Sequence, residues 1–125
     1  MSEHDEQVAV VEWCDANGVP VFHVPNGGLR SKATAAKLKA EGVRPGVPDL
    51  CVPLARCGYH GLWVEMKDAG GKGRISPEQA EWIGRLREEG YCAWVCRGAG
   101  NAIDLIDRYR KENICSTTGS SGPTP

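Results

Sequence analysis

The chain of 125 residues is long enough for one domain with a modest core, and it carries 15 Lys and Arg against 16 Asp and Glu. This near-neutral balance gives no global signal for nucleic acid, and no segment reaches the roughly 18–20 consecutive apolar residues of a membrane-spanning helix. The acidic first residues contain no apolar signal run, so we expect a cytoplasmic protein that does not bind a membrane.

The cysteines disfavour a zinc site. None of the six forms a CxxC pair, and four of them lie within apolar runs, where Cys behaves as a small hydrophobic residue. We therefore expect buried free thiols, and no disulfides in a reducing compartment. The four are Cys14, Cys51, Cys92 and Cys96.

The first part of the chain predicts two helices around one short strand. Ser2 is placed to cap a helix that ends near Asn17, because Gly18 follows. Residues 19–24 alternate weakly, which is typical of a strand, and a Pro-Asn-Gly-Gly turn comes next. An Ala- and Lys-rich helix is expected over residues 31–41.

The second part predicts a β-hairpin, a helix, a strand and a last helix. Residues 50–55 and 61–67 read as the hairpin, with Pro53 indicating an edge strand or a bulge. The remaining elements are a helix over 76–89, a strand over 91–96 and a helix over 101–112 that Asn101 caps. The order α-β-α-β-β-α-β-α indicates an α/β fold with a mixed β-sheet flanked by helices.

Residues 1–113 are interpreted as a single domain. The remaining segment, 114–125, is rich in Ser, Thr, Gly and Pro, so we expect a disordered tail.

The basic residues are unevenly distributed along the chain. One cluster falls between residues 30 and 44, where Glu41 is the acidic exception, and a second surrounds residues 67–74. Local basic patches can follow phosphates even when the net charge is close to zero. The alternative is that these residues simply form solvated helix and loop faces.

Two carboxylates and a lysine surround the predicted hairpin. Asp49 opens one strand, while Glu65 and Lys67 are two apart on the next and therefore share a face. Two carboxylates beside an ammonium group suit a Mg²⁺ site that hydrolyses phosphodiesters. Taken singly, each residue has a plainer reading: an Asp after Pro begins many turns, and a Glu-Lys pair often covers an exposed strand.

The segments PGVPDL, WVEMK and ISPEQAEWIGRLREEGY, in this order, resemble the PD-(D/E)xK nuclease superfamily and in particular its VRR-NUC branch. The resemblance spans most of the chain and implies a restriction-endonuclease-like core. It implies that Asp49 and Glu65 bind a metal together with the backbone carbonyl of Met66, and that Lys67 is the catalytic lysine. It also implies that Gln79 lies near the active site, although Gln79 equally completes a helix capping box.

The same resemblance implies a further metal-binding glutamate on the first helix, for which we select Glu3 rather than Glu6 or Glu12. The alternative for Glu3 is a first-turn residue favoured by the helix dipole. Asn26 and Arg30 match the stretch of the family that approaches the substrate, or else are a turn residue and a solvated arginine. The full predicted DNA-binding set is Asn26, Arg30, Lys32, Arg44, Lys72 and Arg74.

What the resemblance implies for function is a Mg²⁺-dependent endodeoxyribonuclease, with Mn²⁺ able to substitute. Stand-alone members look like phage or prophage replication and repair enzymes of a bacterial host cell. We expect a homodimer that acts on branched DNA such as Holliday junctions. The alternatives are a less selective nickase or flap nuclease, a non-catalytic DNA-binding module with the same fold, and a thiol- or zinc-based site.

Overall fold

The computed structural model describes residues 2–25 and 31–114. The predicted order of elements is confirmed: α1 (Glu3–Ala16), β1 (Phe22–His23), α2 (Lys32–Ala40), β2 (Leu50–Val52), β3 (Leu62–Lys67), α3 (Pro77–Glu88), β4 (Cys92–Arg97) and α4 (Ala99–Arg110). The last described residue, Ile114, packs against the core, and residues 115–125 of the predicted tail lie outside the described residues. None of the described helices has the length and apolar character needed to cross a bilayer.

Serine side chains cap three of the four helices, and the first of them, Ser2, is the predicted cap. Ser2, Ser31 and Ser76 each accept a hydrogen bond from the backbone N–H three residues further on. The prediction for α4 is wrong, because this helix begins at Ala99 with Gly98 as its N-cap. Asn101 lies inside the helix and accepts a hydrogen bond from the N–H of Arg97 instead.

The four strands form one mixed sheet in the order β1-β2-β3-β4. The pairs β1–β2 and β2–β3 are antiparallel, whereas β3 and β4 are parallel and α3 connects them. The edge position predicted from Pro53 is wrong, since β2 lies between β1 and β3. The strand β2 is short instead and ends at Val52, because Pro53 has no N–H to donate to a neighbouring strand.

The core lies on one face of the sheet. Leu62, Val64 and Met66 of β3 point to this face and belong to a buried cluster with Val10 of α1 and Ile106 of α4. The alternate residues of β3 therefore point to the opposite face, and these include Glu65 and Lys67. The helices α1 and α4 thus cover one face of the sheet, and Glu65 and Lys67 project from the other, where Gln79 of α3 contacts Glu65.

The cysteines mostly follow the sequence expectation. Cys14, Cys51, Cys92 and Cys96 are buried free thiols, and burial raises their pKa to about 11 or, for Cys96, about 12. The expectation of a chain without disulfides is wrong, because Cys57 is disulfide-bonded.

The hydroxyl of Tyr109 supports the packing of α4 on the sheet. This fully buried side chain donates a hydrogen bond of 2.6 Å to the backbone carbonyl of Leu54, just beyond β2. Replacing Tyr109 with Phe leaves that carbonyl without its partner, and we expect it to lower the free energy of unfolding by about 1–2 kcal/mol. Urea unfolding measures the change.

Tyr91→Phe is the control, because the Tyr91 hydroxyl bonds to no residue within the described ranges. An equal loss of stability in both variants would contradict this role of Tyr109.

Candidate active site

Three carboxylates from three different elements meet at one end of the sheet. Glu3 lies in the first turn of α1, Asp49 immediately precedes β2, and Glu65 lies within β3. One oxygen from each carboxylate lies within 4.8 Å of the others. Glu3 is exposed, Asp49 is half-buried and Glu65 is only 2 % exposed. The cluster therefore runs from the solvent into the interior.

Backbone groups on both sides hold Asp49 in place. Its carboxylate accepts a hydrogen bond of 2.8 Å from the N–H of Met66, and its carbonyl accepts one of 2.8 Å from the N–H of Val24. The Nδ1 atom of His23 also lies 2.8 Å from that carbonyl and 3.1 Å from Nε2 of Gln7. Asp49 is thus fixed by β1 on one side and by β3 on the other.

Gln79 connects the start of α3 to Glu65. Its Nε2 donates a hydrogen bond of 3.1 Å to Oε2 of Glu65, while its Oε1 accepts one of 2.9 Å from the N–H of Ser76. The two interpretations of Gln79, as a helix cap and as a contact of the acidic cluster, are therefore compatible. The amide oxygen makes the capping hydrogen bond, and the amide nitrogen makes the contact with Glu65.

Lys67 lies beside the same cluster and is mostly enclosed. Its Nζ is 3.9 Å from Oε2 of Glu65, and the residue is 8 % exposed. The loop after β3 runs close to it, since a Cβ atom on Gly73 would lie 3.3 Å from Cδ of Lys67. Because little water reaches this ammonium group, its charge acts strongly on neighbouring anions.

Burial and mutual repulsion change the acidity of the cluster. The pKa of Glu65 rises from 4.5 to about 9, first because of its burial and then because of the charge and hydrogen bonding of Asp49. Lys67 opposes this rise, and Glu3 adds to it. The pKa of Glu3 is also raised, by burial first and then by the charge of Asp49. The protein alone does not compensate the full negative charge of these groups.

The side chain of Met66 points into the core, and its N–H donates a hydrogen bond to the carboxylate of Asp49. Metal binding by the backbone carbonyl of Met66 stays a prediction. Asn26 and Arg30 lie outside the described residues.

The other four predicted DNA-binding residues are exposed. Lys32 is the first residue of α2, and Arg44 follows that helix, donating a hydrogen bond of 2.9 Å to the carbonyl of Lys39. Lys72 and Arg74 flank Gly73 in the loop that passes Lys67. Lys72 and Arg74 therefore belong to the loop that passes Lys67, whereas Lys32 and Arg44 belong to a separate segment of the chain.

Sequence reasoning missed Glu6, which the structure buries to 7 % exposure. Its Oε2 accepts a hydrogen bond of 3.0 Å from the N–H of Ala99 and so caps α4 from another helix. The spacing of Glu6 indicates that it is buried, because it precedes the buried Val10 by four residues and Cys14 by eight and so shares their face of the helix. A carboxylate in an apolar helical stripe indicates a buried group with a defined partner.

The mixed sheet with this acidic cluster and its lysine is the arrangement of an α/β nuclease domain. The VRR-NUC domain family matches residues 1–100, which is most of the chain. The chain belongs to the VRR-NUC family, a family of nuclease domains.

Two solved structures carry the same fold. A VRR-NUC domain protein is 35 % identical with a TM-score of 0.75, and the match covers 90 % of each chain. A second VRR-NUC domain is 25 % identical with a TM-score of 0.60, and the match covers 87 % of this chain and 99 % of that one. No curated protein matches the chain.

The raised pKa of Glu65 predicts how the stability of the metal-free protein depends on pH. Between pH 4.5 and about 9 the folded state keeps a proton that the unfolded state releases. The free energy of unfolding therefore falls as the pH rises through this range, by at most about 1.4 kcal/mol per pH unit. Glu65→Gln should flatten this dependence, as measured by urea unfolding in EDTA at several pH values.

Glu81→Gln is the matched control for this experiment, because Glu81 is exposed on α3 and pairs with Arg85. It should retain the wild-type slope. A wild-type slope in Glu65→Gln as well would show that Glu65 is not the group responsible.

Gly46 packs closely against the backbone at the start of α3, where Gln79 lies. Its φ is +90°, and an added Cβ would lie 2.5 Å from the carbonyl carbon of Glu78 and 2.8 Å from the nitrogen of Gln79. Gly46→Ala must therefore displace the start of α3 and with it the contact to Glu65. We expect nuclease activity to fall by about tenfold or more, since small displacements of positioning groups have effects of this size.

Gly42→Ala separates this effect from backbone strain. Gly42 also has a positive φ, +109°, but an added Cβ meets nothing within 4 Å. This control should lose some stability through strain and keep its activity. Equal activity loss in the two variants would contradict the packing constraint.

Proposed function

We propose that this nuclease domain is a Mg²⁺-dependent endodeoxyribonuclease, with Mn²⁺ able to substitute. The observation that carries the proposal is the meeting of Glu3, Asp49 and Glu65 within 4.8 Å, with the ammonium of Lys67 3.9 Å from Glu65. The family supports nuclease activity, and the acidic cluster supports its dependence on a divalent cation.

The residues of the cluster fit a hard divalent cation. Mg²⁺ prefers oxygen ligands at about 2.0–2.1 Å, so opposite ligands of one ion lie about 4.2 Å apart. Adjacent ligands of an octahedral ion lie about 3.0 Å apart, so the three carboxylate oxygens, within 4.8 Å of one another, reach this geometry by side-chain movements of about 1–2 Å. The raised pKa of Glu65 supports the same fit, because a buried carboxyl surrounded by anions gains most from a cation.

The cation, when bound, supplies Lewis-acid polarisation of the phosphoryl oxygens and makes water easier to deprotonate. Glu3, Asp49 and Glu65 would hold it, together with the Met66 carbonyl. Lys67 is placed to hold the attacking water and to stabilise the charge that develops on the phosphate. Gln79 donates a hydrogen bond to one oxygen of Glu65 and so holds this carboxylate in place beside the cluster.

We propose branched DNA as the substrate and a homodimer as the active form. The exposed basic residues near the cluster, Lys72 and Arg74, support contacts with phosphates on either side of the cleaved bond. A four-way junction presents opposed strands, and two active sites related by a two-fold axis would address them symmetrically. A nickase or flap nuclease would use the same residues on a different DNA geometry.

Cleavage of labelled DNA tests the proposal. The protein is incubated with a four-way junction, a flap and a linear duplex, in Mg²⁺, Mn²⁺, Zn²⁺ or EDTA. We expect the junction to be cut fastest, in Mg²⁺ or Mn²⁺ and not in Zn²⁺ or EDTA. Lys67→Ala and Asp49→Asn should each reduce kcat by about 100-fold or more, the usual effect of removing one group that stabilises the transition state.

Lys111→Ala is the matched control for Lys67→Ala, because it removes a lysine that pairs with Asp107 on the surface. Cleavage that survives both Lys67→Ala and Asp49→Asn would overturn the mechanism. DNA binding without cleavage in every metal would favour the non-catalytic module. Light scattering of the protein with and without a junction tests the dimer.

A further inference from the structure

A cavity of about 480 Å³ is lined by Ile75, Val95, Arg97 and Asn101. Its volume lies within the roughly 300–1,000 Å³ typical of sites for small organic groups. None of these four residues takes part in the hydrolysis proposed above.

The strand register places this cavity next to the catalytic groups. In the parallel pair β3–β4, Val95 is the partner of Glu65 and Arg97 is the partner of Lys67. Paired residues project from the same face of a sheet, on strands about 4.8 Å apart. Ile75, on the other wall, directly precedes Ser76, which caps the helix that carries Gln79. The cavity and the acidic cluster therefore share a border.

Arg97 provides the cavity with an available cation. It is exposed, and within residues 2–25 and 31–114 its guanidinium makes no ion pair or hydrogen bond. By contrast, three other arginines are paired with acidic side chains, namely Arg85, Arg108 and Arg110. The planar guanidinium group is suited to phosphate, which it can bind through two parallel hydrogen bonds.

The rest of the lining combines apolar surface with one amide. Ile75 is 39 % exposed, which is high for a large aliphatic residue, and Val95 is half-buried beside it. The Oδ1 of Asn101 accepts a hydrogen bond of 3.2 Å from the N–H of Arg97, and this contact steadies the backbone that carries the guanidinium. An apolar wall facing a cation matches a sugar joined to a phosphate.

We propose that this cavity is a subsite for the nucleotide adjacent to the scissile phosphodiester, on one side of it. Arg97 binds the phosphate of that nucleotide, and Ile75 and Val95 contact its sugar. This inference rests on the proposed function, because it assigns a neighbouring position on the same DNA strand. The subsite positions the strand and takes no part in the chemical step, so it contributes to KM rather than to kcat.

Steady-state cleavage in Mg²⁺ tests the subsite, using the junction strand whose cut position has been mapped. Arg97→Ala should raise KM by about tenfold or more, as expected for a charge-assisted hydrogen bond, and leave kcat within about twofold of the wild type. Arg97→Lys should recover part of the loss, since it keeps the charge without the planar group. Ile75→Asp should also raise KM, because it places a negative charge in the path of the phosphate.

Substrates with a single neutral methylphosphonate identify the partner of Arg97. The modification is placed in turn on the phosphate to the 5′ and to the 3′ side of the cut. For the wild type, one of the two should reduce kcat/KM by about tenfold, whereas Arg97→Ala should show no further loss with that substrate. Additive losses with both substrates would overturn the pairing of Arg97 with a neighbouring phosphate.

Arg108→Ala is the control, because it removes an exposed arginine of α4 that pairs with Asp104. If the wild type cleaves DNA and Arg97→Ala behaves like Arg108→Ala, the subsite is wrong and the proposed function stands. If the wild type cleaves no DNA in any metal, the proposed function fails and the subsite fails with it. A fall in kcat alone, with KM unchanged, would likewise overturn the positioning role.

Discussion

The site depends on the antiparallel pairing of β2 with β3. Leu50 is the partner of Val64, so the same register places Asp49 opposite Glu65. Two like charges directly opposite on neighbouring strands destabilise a sheet, and this repulsion adds to burial, the larger cause, in raising the pKa of Glu65. A shift of one residue in this pairing would send Asp49 to the apolar face, so the core that fixes the register also fixes the carboxylate pair.

The third carboxylate reaches the cluster by another route, through the packing of α1. Glu6 lies one turn after Glu3, and its carboxylate accepts a hydrogen bond from the N–H of Ala99. The preceding residue, Gly98, donates a hydrogen bond of 2.9 Å from its N–H to the carbonyl of Lys67. The contact is close, because a Cβ on Gly98 would lie 2.7 Å from Oε2 of Glu6. The helix that carries Glu3 is thus joined to the strand that carries Lys67 by two consecutive hydrogen bonds.

Local patterns in the sequence predicted most of the fold. The cap at Ser2, the capping box of Gln79 and the order of elements are properties of neighbouring residues, and the structure has them as predicted. The start of α4 was predicted wrongly because the N–H of Ala99, in its first turn, is satisfied by the side chain of Glu6, 93 residues away. No spacing around Gly98 shows that contact, whereas Asn101 looked locally like a good cap.

The acidic cluster could be predicted in part for the same reason. Asp49, Glu65 and Lys67 follow from one hairpin, where separation along the chain determines proximity. Glu3 came from the resemblance to the family, because a helix far away in the sequence gives no indication of where it docks. Nothing in the sequence indicates the residues of the proposed subsite, since Arg97 becomes a neighbour of Lys67 only when β4 pairs with β3 in parallel.

The distribution of charge around the cluster implies an order of events. DNA is a polyanion, and its approach to three carboxylates is unfavourable unless positive charge is already present. Lys67 is a single charge close to Glu65, while Lys72 and Arg74 are exposed in the loop after β3 and Arg97 is exposed on β4, paired with Lys67. These outer cations can attract a strand but cannot neutralise the buried Glu65.

A divalent cation bound among the carboxylates would remove the remaining repulsion, and it would also stabilise the ionised form of Glu65. In the proposed mechanism, binding of the cation therefore precedes productive binding of DNA, and the flanking basic residues guide the strand to the site.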